Sequence, residues 1–195
     1  CMIGQTDDLT PADKKIYALR DVTGTVESVG LITASITSKK IAEGAEGIVY
    51  DVKTGSGSTL PAYEKSNELA LNLLKTSKDF GQSAIAILTG MNSPLGYAIG
   101  NWAEIKECLE IMDPKYARSK LSSDLLEVTL YLAGAMLQLA EKCRTIDEGL
   151  KLAEEKLASG ECFNKFIEMA ELQGGDVSYL KNPAKYTKAK VSDII

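Results

Sequence analysis

Histidine is absent from the 195-residue chain. That absence excludes a Ser-His-Asp or Cys-His dyad, a histidine general base and a histidine metal ligand drawn from this chain. Cysteine is sparse: Cys1, Cys108, Cys143 and Cys162 show no C-x-x-C spacing, and a chain of this size has no need of disulfide staples, so reduced thiols and a cytoplasmic location are expected. Positive charge is in deficit, with 22 Lys and Arg against 27 Asp and Glu and a net charge of −5, which argues against nucleic acid or anionic lipid as a main partner. Long apolar runs are lacking as well. The most apolar stretch, 125–140, contains Glu127 and Gln138 and is too short to span a bilayer. No signal-peptide pattern precedes it. What the chain does have is 45% hydrophobic and 25% charged residues, enough for one sizeable core or two modest domains. It opens on Cys1 in mid-phrase and reads as an internal piece of a longer polypeptide.

Period and punctuation predict a helix over 12–20, with Thr10 as N-cap and Pro11 at the first helical position. A second helix is expected over 31–43, ended by Gly44. GIVYDVK at 47–53 and SAIAILTG at 83–90 read as buried strands. Between them a helix opening at Pro61 and reaching about Lys78 presents Leu69, Ala70, Leu73 and Leu74 as its apolar stripe. Strand, helix and strand make a βαβ unit, so the strands should be parallel with a right-handed crossover. Helices are expected over 100–112, 123–143, 146–158 and 161–172, with Thr145 and Glu148 as a capping box and a last strand at the end of the tail. Two strands are too few for a self-sufficient parallel sheet, so partner strands are expected from outside the chain or from another subunit.

In the second helix Leu31, Ala42, Ser35, Lys39, Ile32 and Ile36 share one arc at about 100° per residue, while Thr33, Thr37 and Lys40 fall opposite. Ser35 and Lys39 interrupt the apolar arc one turn apart and point to the same place. Two readings stand for Lys39: it snorkels past Ile36 to water, or its ammonium meets a counter-charge or an electron-rich partner. Arg20, followed by Asp21, reads by itself as a local ion pair or as a cation near a helix C-terminus. TGSGS at 54–58 lacks the Lys-Ser/Thr ending of a P-loop and the spacing of a dinucleotide fingerprint, so it reads as a turn. The leucine-rich run at 125–140 reads as core.

The phrases YALRDVT at 17–23, LITASITSKK at 31–40, DVKTGSG at 51–57 and MNSPLGYAIGNWAEIKE at 91–107 stand in an order that resembles the central part of the pyrimidine nucleoside phosphorylases, the thymidine phosphorylase family. The likeness runs through essentially the whole chain. PLGYAIGN is similar to the wording of the bacterial branch that accepts both uridine and thymidine. The resemblance implies an α/β, helix-rich fold: a helical segment and then a partial parallel βαβ sheet with several helices, all part of a larger two-domain phosphorylase. Residues 1–44 would belong to a small helical domain concerned with base binding and dimerisation, and 45–195 to the larger α/β domain. The implied activity is phosphorolysis of a pyrimidine nucleoside to free base and sugar 1-phosphate, as a homodimer, with phosphate as co-substrate and no organic cofactor.

By the same resemblance, Arg20, Ser35 and Lys39 hold the pyrimidine and act in catalysis. Two cations and a hydroxyl donor aimed at the carbonyl oxygens of a departing base stabilise the leaving group. Tyr17, one turn before Arg20, lines the same pocket or packs beside it. A potassium site is implied on the carbonyls of Leu95 and Ala98 and on Glu107, hard oxygen donors that suit such an ion; by pattern alone Glu107 reads as part of a solvated helix face. The chain departs from the family in lacking its Lys-His-Ser-Thr-Gly-Gly phosphate phrase and in reading DVKTGSGSTL where DVKVGSGAFM is usual. The chain is therefore expected to carry the base half of a site and to be inactive alone. The rivals are a non-catalytic fragment or interaction module of the same fold, and a phosphoribosyltransferase-like enzyme, against which the LRDVT and SKK phrases argue.

Overall fold

Strand β1 (Gly47–Thr54), helix α3 (Tyr63–Asp79) and strand β2 (Ser83–Gly90) form the expected βαβ unit in the computed structural model, which describes residues 2, 4 and 6–186. The strands pair in parallel, Gly47 opposite Ser83 and Thr54 opposite Gly90. Parallel neighbours cannot be joined by a hairpin, so the chain crosses over through α3. Leu69, Ala70 and Leu73 of α3 are buried with Ile48, Tyr50 and Val52 of β1 in one apolar cluster, while Leu74 is half-buried. Two serines lie fully buried on the same helix and are satisfied there: Ser66 donates to the Leu60 carbonyl at 2.8 Å, and the Ser77 hydroxyl lies 2.9 Å from that of Tyr50.

Helices α1 (Pro11–Thr23) and α2 (Val29–Ala42) precede the sheet. Thr10 adopts left-handed backbone angles and its hydroxyl caps nothing, so the expected N-cap is not made. Pro11 opens the helix alone, its fixed φ being suited to the first turn. Ile32 and Ile36 of α2 pack against the core cluster. The opposite arc is not a solvated one: Thr33 and Thr37 are buried, their hydroxyls donating to the carbonyls of Val29 and Thr33 at 2.8 Å. Threonine is tolerated there because its own helix supplies an acceptor four residues back. Gly44 follows with φ +72°, in the role expected of it.

The later helices are α4 (Asn101–Met112), α5 (Ser123–Leu139), α6 (Ile146–Ala158), α7 (Glu161–Leu172) and a short α8 (Val177–Lys181). Helix α5 stops four residues before the expected 143. Glu141 takes φ +57°, and the N–H groups of Lys142 and Glu141 return to the carbonyls of Leu137 and Gln138 at 2.9 Å each, the closure usually made by glycine. At the start of α6 the Glu148 N–H reaches the Thr145 hydroxyl at 3.2 Å, while the Glu148 carboxylate takes the N–H of Arg144 rather than that of Thr145, at 2.8 Å. The strand expected at the end of the tail lies in 187–195, outside the described residues. Among the described residues the sheet has two strands.

The described chain forms two compact units, Met2–Leu95 with Asp124–Ala153, and Gly96–Ser123 with the residues from Glu154. In the first, α5 and the start of α6 approach backbone to backbone. A Cβ on Gly149 would lie 2.5 Å from the Gly134 carbonyl oxygen, closer than real Cβ contacts allow, so only glycine fits. In the second, Leu109 of α4 and Ile167 of α7 are buried, and Trp102 stacks on Tyr186 with ring centroids 4.1 Å apart. Because the α5–α6 contact is backbone against backbone, Gly149→Ala should destabilise the chain by about 1–3 kcal/mol, the usual range for overpacking. Denaturant unfolding of the variant beside its parent checks this, and an unchanged midpoint would refute the close approach.

Candidate functional site

Asp13, Tyr17 and Arg20 follow one another at helical spacing along α1 and so share a face. Tyr17 is exposed, whereas Arg20 is 6% exposed. The Arg20 guanidinium lies over the Tyr17 ring, 5.1 Å from its centroid, and donates to the Val26 carbonyl in the connection to α2. It does not pair with Asp21, but it lies in the last turn of α1, so of the two local readings the cation near a helix C-terminus holds. Its Nε is buried without a hydrogen-bond partner among the described residues. A buried donor left unpaired is unfavourable, so this N–H marks a place where an acceptor is wanted.

Ser35 and Lys39 stand one turn apart on α2, as the sequence predicted. Lys39 does not snorkel to open water: its side chain is 23% exposed and its ammonium pairs with Asp13 of α1. The other two contacts of the ammonium are to the Ser35 carbonyl at 2.8 Å and the Ser35 hydroxyl oxygen at 2.9 Å. Asp13 is the residue that sequence reasoning missed. An acidic residue in a first helical turn passes for a partner of the helix dipole, and its spacing of four and seven from Tyr17 and Arg20 was the available signal.

A cavity of about 400 Å³ is lined by Tyr17, Arg20, Ser35, Ile36, Tyr50 and Lys53, among others. The structure thus brings Tyr17, Arg20 and Ser35 to one place, with Lys39 held behind Ser35. The volume lies in the range of small-molecule sites. The floor is the carboxyl end of the parallel strands, where α/β folds bind ligands. There Lys53 bridges the Asp51 carboxylate at 2.7 Å and the Thr89 hydroxyl at 2.9 Å. The glycine-rich turn also reaches this cavity, through Gly57 and Ser58. Its amides are already used: the N–H groups of Gly55, Gly57 and Ser58 donate to the carbonyls of Pro61, Met91 and Gly55 at 3.1, 2.8 and 3.0 Å, and that of Ser56 to the Asn92 side chain at 3.0 Å. It is a closed turn rather than an anion cradle.

Glu107 of α4 is 2% exposed, so the solvated-face reading is incorrect. Its carboxylate accepts the N–H of Tyr97 at 3.2 Å and that of Ala98 at 3.0 Å, one on each oxygen, and thereby ties the preceding loop to the helix. Gly96 has φ +71°, and a Cβ there would fall 2.5 Å from the Glu107 carboxylate, so the loop closes on the acid only with glycine at that position. Each carboxylate oxygen keeps a further lone pair. Leu95 belongs to the other compact unit, where it lines a cavity with Thr89, Glu127 and Tyr131. Beside Glu107, the Tyr97 hydroxyl donates to Glu110 at 2.8 Å, and this bond holds the phenol above its ordinary pKa. Burial, with help from Glu107 and Glu104, pushes the Cys108 thiol up and disfavours the reactive thiolate. Among the described residues no group of three or more Cys, Asp or Glu could hold a metal ion by side chains alone, and no helix is long and apolar enough to cross a membrane.

Residues 1–163 match the family model described as glycosyl transferase family, a/b domain. The chain is 44% identical over 188 residues to the pyrimidine-nucleoside phosphorylase of Bacillus subtilis strain 168, covering 96% of this chain and 42% of that protein. It is 44% identical to the Staphylococcus haemolyticus protein of the same name, over 93% of this chain and 41% of the relative, and 43% identical to the one from Staphylococcus epidermidis strain ATCC 12228, over 97% and 42%. The chain therefore spans about two fifths of the length of these relatives.

The clamp on the loop before α4 generates its own prediction. Glu107→Gln places an amide NH2 against backbone donors, leaving one of them unpaired, and should destabilise the chain by about 1–3 kcal/mol. Urea unfolding would register the loss as a lower midpoint at unchanged slope; an unchanged midpoint would rule out the clamp.

Proposed function

The chain belongs to the glycosyl transferase family through its a/b domain, and from that premise we propose that the complete protein catalyses phosphorolysis of pyrimidine nucleosides, giving free base and sugar 1-phosphate. The observation that carries the reading is the cavity of about 400 Å³ that Arg20 and Ser35 line together. As the bond from sugar to base breaks, the sugar becomes oxocarbenium-like and the pyrimidine carbonyl oxygens gain negative charge. Arg20 and Ser35 offer donors to those oxygens, and Lys39 adds positive charge directly behind Ser35. Donors held in place before the reaction stabilise that charge more effectively than water, which must reorient. Tyr17, stacked under the guanidinium, keeps Arg20 on the cavity side of α1.

Phosphate enters from the sugar side, and its ligands belong to polypeptide outside this chain; the closed TGSGS turn, with its amides occupied, supports that division. The 195-residue chain alone is accordingly an inactive base-binding portion. A potassium ion bound to the Ala98 carbonyl and Glu107 would supply charge that fixes the loop before α4. The hard oxygens of this loop fit such an ion. The protein acts in the cytoplasm as a homodimer through the segment 12–43, a reading supported by the exposed Ile16, Leu19 and Val22 of α1.

With the full-length protein, chromatography should show uracil or thymine released from uridine or thymidine only when phosphate is present, and the 195-residue chain should release almost none. Phosphate-independent release by the full-length protein would overturn the reaction class. In the same protein Arg20→Ala and Lys39→Ala should each lower kcat/KM about 10²-fold, the size seen when a preorganised donor is removed. Steady-state kinetics on both variants checks this, and values within about twofold of the parent would remove these residues from the site.

A further inference from the structure

We infer that Lys53 and Asp51 hold the sugar of the nucleoside: the pair donates to and accepts from one of its hydroxyl groups. The inference rests on the function proposed above and assigns the sugar half of the same cavity. Arg20 of α1 and Ser35 of α2 are given to the carbonyl oxygens of the base, and the lining they share continues onto β1, the turn after it and α3. A nucleoside with its base against the two helices leaves its sugar to that second part. There Asp51 and Lys53 are the charged side chains in the lining.

Side chains alternate along a strand, so Tyr50 and Val52 are buried in the core cluster with α3 while Asp51 and Lys53 share the other face. Thr89 of β2 stands opposite Lys53 in the parallel register. The three side chains form a closed ring. The Lys53 ammonium lies 2.7 Å from one Asp51 oxygen and donates to the Thr89 hydroxyl at 2.9 Å, and that hydroxyl donates to the other Asp51 oxygen. The ring uses two of the three ammonium N–H groups; the third has no protein partner among the described residues, and each carboxylate oxygen keeps a lone pair. A sugar hydroxyl fits what is left, because it can accept from the ammonium and donate to the carboxylate beside it. A phosphate dianion fits poorly, since the ammonium charge is already balanced and the carboxylate would repel it. The Lys53 and Asp51 side chains are 31% and 28% exposed, and an ion pair so open to water adds little to stability. Holding the fold is therefore a small part of what the ring does.

The test is steady-state phosphorolysis by the full-length protein and its Lys53→Met variant, using uridine and its 2′-, 3′- and 5′-deoxy analogues. With uridine, Lys53→Met should lower kcat/KM about tenfold or more, the size of a lost hydrogen bond to a charged group. With the analogue that lacks the bonded hydroxyl the same substitution should lower it no more than about twofold, because the two deletions remove one and the same interaction. Asp51→Asn should show its smallest deficit with that same analogue. An unaltered kcat/KM for Lys53→Met, or an equal deficit with all the nucleosides, would overturn the inference. So would an effect confined to KM for phosphate, which would make Lys53 a phosphate ligand. Should Lys53→Met fold poorly, Asp51→Asn, which keeps the side-chain shape, carries the comparison across the nucleosides alone. If the parent protein itself released no base in phosphate, the proposed function would fail and this inference with it; an active parent whose Lys53→Met deficit ignores the sugar would overturn the inference alone.

Discussion

A lysine ammonium paired across two helices is the constraint on which the site depends. A lysine partly withdrawn from water needs its hydrogens met, and the chain meets them with Asp13 and with two oxygens of Ser35. That requirement sets the register of α1 against α2. With the register set, Arg20 comes to the cavity together with Ser35, and the connection between the helices is held by the bond from Arg20 to the Val26 carbonyl. An apolar pair in place of Asp13 and Lys39 would hold the helices as well or better; what it could not do is place a positive charge beside Ser35.

The βαβ unit supplies the rest of the cavity for reasons of geometry rather than charge. Parallel strands need a crossover helix, and that helix covers one face of the sheet, so the open ground is at the carboxyl ends of the strands. The turn after β1 comes to the same place because Gly55 and Gly57 let it close against Met91 and Asn92, where any Cβ would collide. Its backbone donors are consumed in that closure. The polar chemistry facing the cavity therefore comes from side chains, Arg20 and Ser35 on one side and Asp51 with Lys53 on the other.

Glu107 applies the same rule in the other compact unit. A buried carboxylate must be answered by donors, and the N–H groups of Tyr97 and Ala98 answer it. Residues 96–98 of the PLGYA loop are held by this acid from within its own unit. A family resemblance pointed to Glu107 as a ligand and a helical pattern pointed to it as a surface residue. Its burial removes the second reading and leaves the carboxylate oxygens with lone pairs to spare.

The sequence by itself determined the elements whose signals are local. Glycine breaks and β-branched runs placed both strands and the helix between them, the 47–90 order required parallel pairing, and the phrases around Arg20, Ser35 and Lys39 identified the family. Spacing of four was enough to put Ser35 and Lys39 together, because helical geometry is independent of what surrounds it. The tertiary structure alone decided what is opposite each helix. Thr33 and Thr37 could be buried because their hydroxyls find carbonyls within α2, an option that a hydrophobic pattern scores as polar. Helix α5 ended at Leu139 through a left-handed Glu141, a conformation that no glycine announced. Asp13 became the partner of Lys39 only when α1 and α2 were brought side by side, since two charges separated by a turn of unspecified path have no signature along the chain.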